Sequence, residues 1–202
     1  MSDQLMIDDR RFLFETDRCE LRPVSPDDTS ALHRLWISPG VRRFLWDDEI
    51  IPIERAAEVV STSLELFAQH RFGLWAARLK GSTEICGFTG IWPFRDPPEF
   101  ELLYGVAEPL WGQGYAVEVS QAILAYCYDT LDMSVVRASI DAPNAASARV
   151  LEKLGFTRLR RATVGGLDLI FFDRVRLRED ASTFALRATV DKSAGQARPQ
   201  ES

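Results

Sequence analysis

The stretch PLWGQGYAVEVSQAIL, residues 109–124, decides how the chain is to be read. From Tyr115 onward its pattern is helical, with Val119, Ile123, Tyr126 and Cys127 on one face of a helix expected over 115–130. Its foot, Trp111-Gly112-Gln113-Gly114, is poor helix material, because a glycine costs roughly 1 kcal/mol relative to alanine inside a helix. Just upstream, FELLYGV reads as a strand over 100–106 that ends at Val106. The glycines therefore lie between a strand and a helix, where free N–H groups accumulate. The first amides of a helix have no partner within it, and its aligned peptide dipoles add about half a positive charge there. With no Cβ in the way, a phosphate can approach that backbone. The alternative is a plain strand-to-helix bend. A P-loop is excluded because no Gly-Lys-Ser/Thr follows, and a dinucleotide fingerprint because no third glycine comes at its spacing before Glu118 and Val119.

Working outward, strands at 72–80 and 85–94 precede that one, joined by Gly81-Ser82 and by Arg95-Asp96-Pro97-Pro98. Connections this short favour antiparallel neighbours. Before them come a short strand (CELRPV, 19–24) and a helix over 27–37 with Ala31, Leu32, Leu35 and Trp36 as its apolar stripe. Ser38-Pro39-Gly40 reads as the end of that helix, and Pro52 opens another over 52–70. After the central helix come a strand at 135–140, a helix at 145–154, and a hairpin of 156–164 with 167–175 around Gly165-Gly166. The pattern predicts one α/β domain of the α+β type, a mixed, mostly antiparallel sheet of about seven strands flanked by about four helices. That domain is expected over 15–178, with a charged lead-in over 1–14. A tail over 184–202 has too few large apolar groups to pack and is expected to be disordered.

Bulk composition narrows the function. At 202 residues, 46% hydrophobic and 27% charged, the chain is an ordinary globular one. A net charge of −6 argues against a nucleic-acid partner held by a broad basic face, and suits cationic substrates such as amines. Cys19, Cys86 and Cys127 form no C-x-x-C pair, so neither a disulfide framework nor a metal site is expected. Cys86 and Cys127 sit among apolar residues and read as buried thiols. No apolar run reaches signal-peptide or membrane-spanning length, which points to a cytoplasmic protein without a membrane partner.

A second motif, Asn144-Ala145-Ala146-Ser147 followed by VLEKLGF (150–156), runs from a helix cap through an apolar face to a glycine exit. Together with WGQGYA upstream it resembles the GNAT superfamily of acyl-CoA-dependent N-acetyltransferases. The first motif of that family is Gln/Arg-x-x-Gly-x-Gly/Ala and its second is an Asn-headed helix ending in Gly-Phe. Gly114 and Ala116 fit the first, whereas Trp111 replaces its Gln or Arg. The resemblance covers 15–175 and is nearest the branch that acetylates ribosomal-protein N-termini. It implies acetyl-CoA as co-substrate, with its pyrophosphate on the amides of Gly112, Gln113, Gly114, Tyr115 and Ala116 beside Trp111. It also implies that the backbone of Tyr104, Gly105 and Val106 pairs with the pantetheine arm as another strand would. Asn144 would reach the same arm, although asparagine there is equally a preferred helix N-cap.

Acetyl transfer needs a deprotonated amine, an aligned thioester, a stabilised oxyanion and a proton for the leaving thiolate. Glu101 is the candidate base: it shares a strand face with Leu103 and Gly105, where partial desolvation would raise its pKa. The alternative is a structural ion pair with an arginine such as Arg137. Ser147 is the candidate acid, because Leu151 stands where other relatives carry a tyrosine; its hydroxyl could instead bond back to Asn144 or the backbone. His33 and His70 lie on the early helices, and no Cys-His or Ser-His-Asp arrangement is apparent, so direct attack in a ternary complex is expected. The resemblance implies that Phe44 and Trp46 border the acceptor cleft, with Trp92 and Phe94 opposite. Asp47, Asp48 and Glu49 either draw in an ammonium or form an exposed loop. Lys153 meets a CoA phosphate or projects into solvent. The acceptor is a primary amine, either a protein N-terminus or a small molecule. A homodimer through exposed sheet edges fits the pattern, and the rival reading is a non-catalytic acyl-CoA-binding module.

Overall fold

A computed structural model describes residues 10–95 and 97–176. The first nine residues of the expected lead-in and the expected tail over 184–202 lie outside the described residues. One mixed sheet of eight strands organises the rest, in the order β1-β2-β3-β4-β5-β6-β8-β7. The strands are β1 (Phe14–Glu15), β2 (Cys19–Pro23), β3 (Leu74–Leu79), β4 (Ile85–Phe94), β5 (Glu99–Val106), β6 (Val135–Asp141), β7 (Thr157–Val164) and β8 (Leu167–Val175). Five α-helices accompany them: α1 (Thr29–Trp36), α2 (Pro39–Leu45), α3 (Ile53–His70), α4 (Tyr115–Asp129) and α5 (Ala145–Lys153).

Strand alternation divides the core in two. Leu74 and Ala76 of β3 join Phe88 against Leu32 and Trp36 of α1 and Val59 and Val60 of α3. Trp75 and Ala77, one residue out of phase, join Ile91, Leu102 and Ala138 against Val119, Ile123 and Leu124 of α4. The sheet thus carries one apolar cluster on each face, and β5 lies at its centre.

One pairing sets up the function. Every neighbouring pair is antiparallel except β5 and β6, which are parallel and registered only at Glu101 and Arg137. Beyond that point the two strands part toward their C-terminal ends, and the β6-facing edge of residues 103–106 is left without a ladder partner.

Three differences from the sequence expectation have physical causes. Pro39-Gly40 does not merely terminate α1 but opens α2, with extended Ser38 (φ −61°, ψ 141°) as its cap residue. Proline's missing N–H is no loss at a first helical position. The Gly40 N–H is taken by the Glu108 carboxylate at 2.8 Å. The packed unit also begins before residue 15. Phe12 is buried against Phe67 and Tyr126, its carbonyl accepts the Trp75 indole N–H at 2.8 Å, and Phe14–Glu15 pairs with β2. Among the cysteines, Cys19 and Cys127 are buried whereas Cys86 is half-buried, because its strand β4 only begins at Ile85.

The entry to α1 is fixed by a buried acid. Asp28 accepts two bonds from Arg22 (2.6 and 2.7 Å) and one from the Ser25 N–H (2.8 Å). Burial alone would raise its pKa, but the Arg22 and Ser25 bonds outweigh it and the net shift is downward. A lowered folded pKa gives stability that is present above the unfolded value of about 3.9 and is lost as pH falls through the folded value. Asp28→Ala is expected to cost about 3 kcal/mol in urea denaturation at pH 7. The loss relative to wild type should shrink when the titration is repeated below pH of about 4; an equal loss at both pH values would contradict this account.

Candidate active site

Where β5 and β6 part, a cavity of about 750 Å³ opens between α2, the foot of α4, α5 and the tip of the β7–β8 hairpin. A volume of this size suits a ligand of cofactor dimensions. Tyr104, Gly105 and Val106 line it from the unpaired edge of β5, and Trp111, Gly112, Gly114, Tyr115 and Ala116 line it from the turn into α4.

That turn is built on left-handed backbone. Gly112 has φ 74° and Gly114, the residue capping α4, has φ 87°. A Cβ at Gly112 would meet nothing, so conformation rather than space selects glycine. The conformation disfavours other residues by roughly 1–2 kcal/mol. Trp111 donates its indole N–H to the Val106 carbonyl at 2.7 Å, which fastens the turn to the end of β5. On the other side Arg18 donates to the Gln113 carbonyl (3.1 Å), covers the Tyr115 ring at 3.8 Å and pairs with Glu118 at 2.5 Å. Gln113 itself is exposed and outside the cavity wall, its side chain donating to the Pro109 carbonyl at 2.8 Å. The result is a braced turn that puts the start of α4 on the cavity wall, and the unpartnered first amides of a helix are a setting that can hold a phosphate.

α5 supplies the opposite wall. The Asn144 side-chain oxygen accepts the Ser147 N–H at 3.0 Å, so Asn144 does cap the helix, and it also lines the cavity. Tyr104 donates its phenol to the Ser147 carbonyl at 3.1 Å, tying β5 to the first turn of α5, and burial pushes that phenol's pKa up. The Ser147 hydroxyl makes no hydrogen bond among the described residues and lies on the cavity wall. Lys153 and Arg149, one turn apart on α5, line the cavity while remaining exposed.

Glu101 is placed differently from its expected partners. It is 1% exposed and does not line the cavity. Arg95, from the β4–β5 turn, forms an ion pair with it, and Ser139 of β6 donates its hydroxyl at 2.5 Å. Arg95 and Ser139 themselves reach the cavity. Arg137, the arginine anticipated for this role, is the backbone neighbour of Glu101 but points its charge to Asp173 at 3.8 Å.

Of the four aromatic side chains expected at the acceptor end, Phe44 and Phe94 line the cavity. Trp46 instead packs on Trp36, with ring centroids 6.2 Å apart, and Trp92 sits opposite Glu101 in the β4–β5 register. Within the acidic stretch Asp47 lines the cavity, whereas Asp48 is held by Arg42 at 2.8 Å. The sequence reading assigned no site role to Gly40 and Val41 of α2, Arg95, Asp141, or Val164, Gly165 and Leu167 at the hairpin tip, all of which line the cavity. For Asp141 a signal was available: alternation along β6 puts it on the face of Arg137 and Ser139.

Comparison with known proteins identifies the fold and the family. The acetyltransferase (GNAT) domain family matches residues 18–157. An uncharacterised N-acetyltransferase, YoaA of Bacillus subtilis, is 26% identical over 147 residues, covering 72% of this chain and 83% of the relative. The uncharacterised protein YkkB of the same organism is 31% identical over 143 residues, 69% of this chain and 82% of the relative. Among solved structures, an acetyltransferase from Agrobacterium tumefaciens superposes with a TM-score of 0.72 at 23% identity, covering 81% of this chain and 94% of its own. RimL, a ribosomal L7/L12 alpha-N-protein acetyltransferase solved with coenzyme A, superposes with a TM-score of 0.69 at 18% identity, covering 81% and 97%. At such identities the superpositions speak to fold, and the family match carries the assignment. The chain is an acetyltransferase and belongs to the GNAT family.

Proposed function

We propose that this acetyltransferase moves the acetyl group of acetyl-CoA to a primary amine by direct attack within a ternary complex, and that the amine is a protein N-terminus. The observation that carries the reading is the parting of β5 and β6 with a two-glycine helix foot at the open end. The amides of Gly112 to Ala116 would hold the pyrophosphate, the free edge of Tyr104, Gly105 and Val106 would pair with the pantetheine amides, and the Asn144 side chain would reach the same arm. Bound there, acetyl-CoA supplies an activated acyl carbon.

The chain's own groups do the rest. Ser147, whose hydroxyl is unengaged, returns a proton to the leaving sulfur. Glu101 acts through Arg95 and Ser139, holding both against the cavity floor rather than meeting the amine itself. Phe44 and Phe94 form apolar walls for the acceptor. The choice of a protein N-terminus is supported by the ribosomal-protein acetyltransferases among the structural neighbours.

Calorimetric titration with acetyl-CoA followed by a thiol-release assay tests this. Acetyl-CoA is expected to bind at micromolar Kd. Thiol release is expected with a peptide bearing a free N-terminal serine, and not with the same peptide already N-acetylated. Release with putrescine in place of the peptide would redirect the acceptor to small molecules. Binding without turnover on any amine would favour the non-catalytic module. No binding by folded protein would overturn the proposal.

A further inference from the structure

An acceptor amine reaches the enzyme as an ammonium, which cannot attack a carbonyl until a proton is removed. A base that takes the proton directly must face the cavity, and Glu101 does not. Two carboxylates do, Asp47 from the loop after α2 and Asp141 at the C-terminal end of β6. Neither forms an ion pair among the described residues.

The position of Asp141 is coupled to the candidate acid. Its carbonyl accepts the Asn144 N–H at 2.9 Å, and the Asn144 side chain in turn fixes the Ser147 N–H. One tight turn thus links Asp141 to the cap that holds the Ser147 N–H, and both residues line the cavity, where β5 and β6 have already parted.

We propose that Asp141 is the catalytic base that takes the proton of the acceptor ammonium, with Asp47, the other carboxylate on the cavity wall, drawing the cation in. The inference rests on the acetyl transfer proposed above. The ammonium gives one proton to the Asp141 carboxylate, leaving a neutral amine and a neutral acid. The nitrogen lone pair then forms the C–N bond as the C–S bond breaks. The departing electron pair stays on sulfur, which receives the second nitrogen proton by way of Ser147, and Asp141 releases its own proton to water.

The surroundings favour this role. Burial pushes the Asp141 pKa up, the negative charge of Asp47 pushes it further, and its own backbone N–H opposes both. The remaining charged side chains that line the cavity are Arg95, Arg149 and Lys153. Arg95 is engaged by Glu99 and Glu101, Asp168 on β8 is bound to Arg161, and Arg149 and Lys153 line the wall from α5.

The test has three arms. Protein labelled with carboxyl-13C aspartate, with the signal assigned by Asp141→Asn, should show Asp141 titrating above the ordinary value of about 3.9. In Asp47→Asn that titration should move down. Calorimetry should find the acetyl-CoA Kd unchanged in Asp141→Asn. With the serine peptide, kcat/KM of Asp141→Asn should fall about 100-fold at pH 7 and recover with rising pH as free amine replaces ammonium. A titration at or below the ordinary value overturns the proposal whether or not an acceptor is in hand. So does wild-type kcat/KM in an Asp141→Asn protein that binds acetyl-CoA normally. Failure of the wild-type protein to bind acetyl-CoA is a separate result, which sinks the acetyl-CoA reading itself.

Discussion

Replacing Gly114 by aspartate is expected to weaken acetyl-CoA binding by about 100-fold or more, whereas Gly114→Asn should weaken it by about tenfold or less. Both variants place a side chain on a residue with φ 87°, which asparagine and aspartate tolerate better than most. The new Cβ would meet only the Arg18 guanidinium, at 3.6 Å, so crowding is the same small effect in each. What differs is charge. A carboxylate about 4 Å from a phosphate, at an effective dielectric near 20, is repelled by about 4 kcal/mol. Arg18 stands close enough to offset part of that, leaving roughly the 2.7 kcal/mol that a factor of 100 requires. The pair of variants therefore reads the position of the pyrophosphate directly. Equal weakening by Asp and Asn would mean that only the bend matters, and that the anion lies elsewhere.

The legibility of that turn contrasts with the rest of the site. Gly112 and Gly114 could be placed from the sequence because a strand, a glycine pair and a helical stripe follow one another within a few residues. Local order of this kind survives folding. α2 was hidden because Pro39-Gly40 has two lawful meanings, a stop for the helix before it and a start for the helix after it. Only the tertiary bond from the Gly40 N–H to Glu108 marks the second. Alternation along β6 gives the face of Asp141, but that Asp47, from a segment far away in sequence, lines the same cavity is something no spacing rule encodes. Likewise the resemblance implies Trp46 and Trp92 as acceptor contacts, but Trp46 packs on Trp36, and β4 pairing sets Trp92 opposite Glu101.

Glu101 is the most instructive residue, because alternation put it on the expected face but could not say what would meet it there. Its partner comes from the β4–β5 turn, where Arg95 adopts φ 69° and swings its guanidinium over the start of β5. A turn reading of Arg95-Asp96-Pro97-Pro98 carries no information about that direction. The ion pair makes a definite prediction. Glu101→Gln keeps shape and an acceptor for Ser139 but strips the charge facing Arg95, and breaking a buried pair costs about 3–5 kcal/mol. Because Arg95 also pairs with Glu99 at 3.0 Å, the lower end of that range is expected. For a domain of this size about 3 kcal/mol corresponds to a Tm lower by roughly 6–12 °C. If the loss comes from an orphaned arginine, then Arg95→Met in the same protein should recover part of it, giving a favourable coupling in a double-mutant cycle. Turnover, measured well below the lowered Tm, should fall by about tenfold rather than the 100-fold or more expected of a base that meets the substrate. An unchanged Tm with a collapse in kcat would reverse the assignment, returning Glu101 to the chemistry and leaving Asp141 to position it.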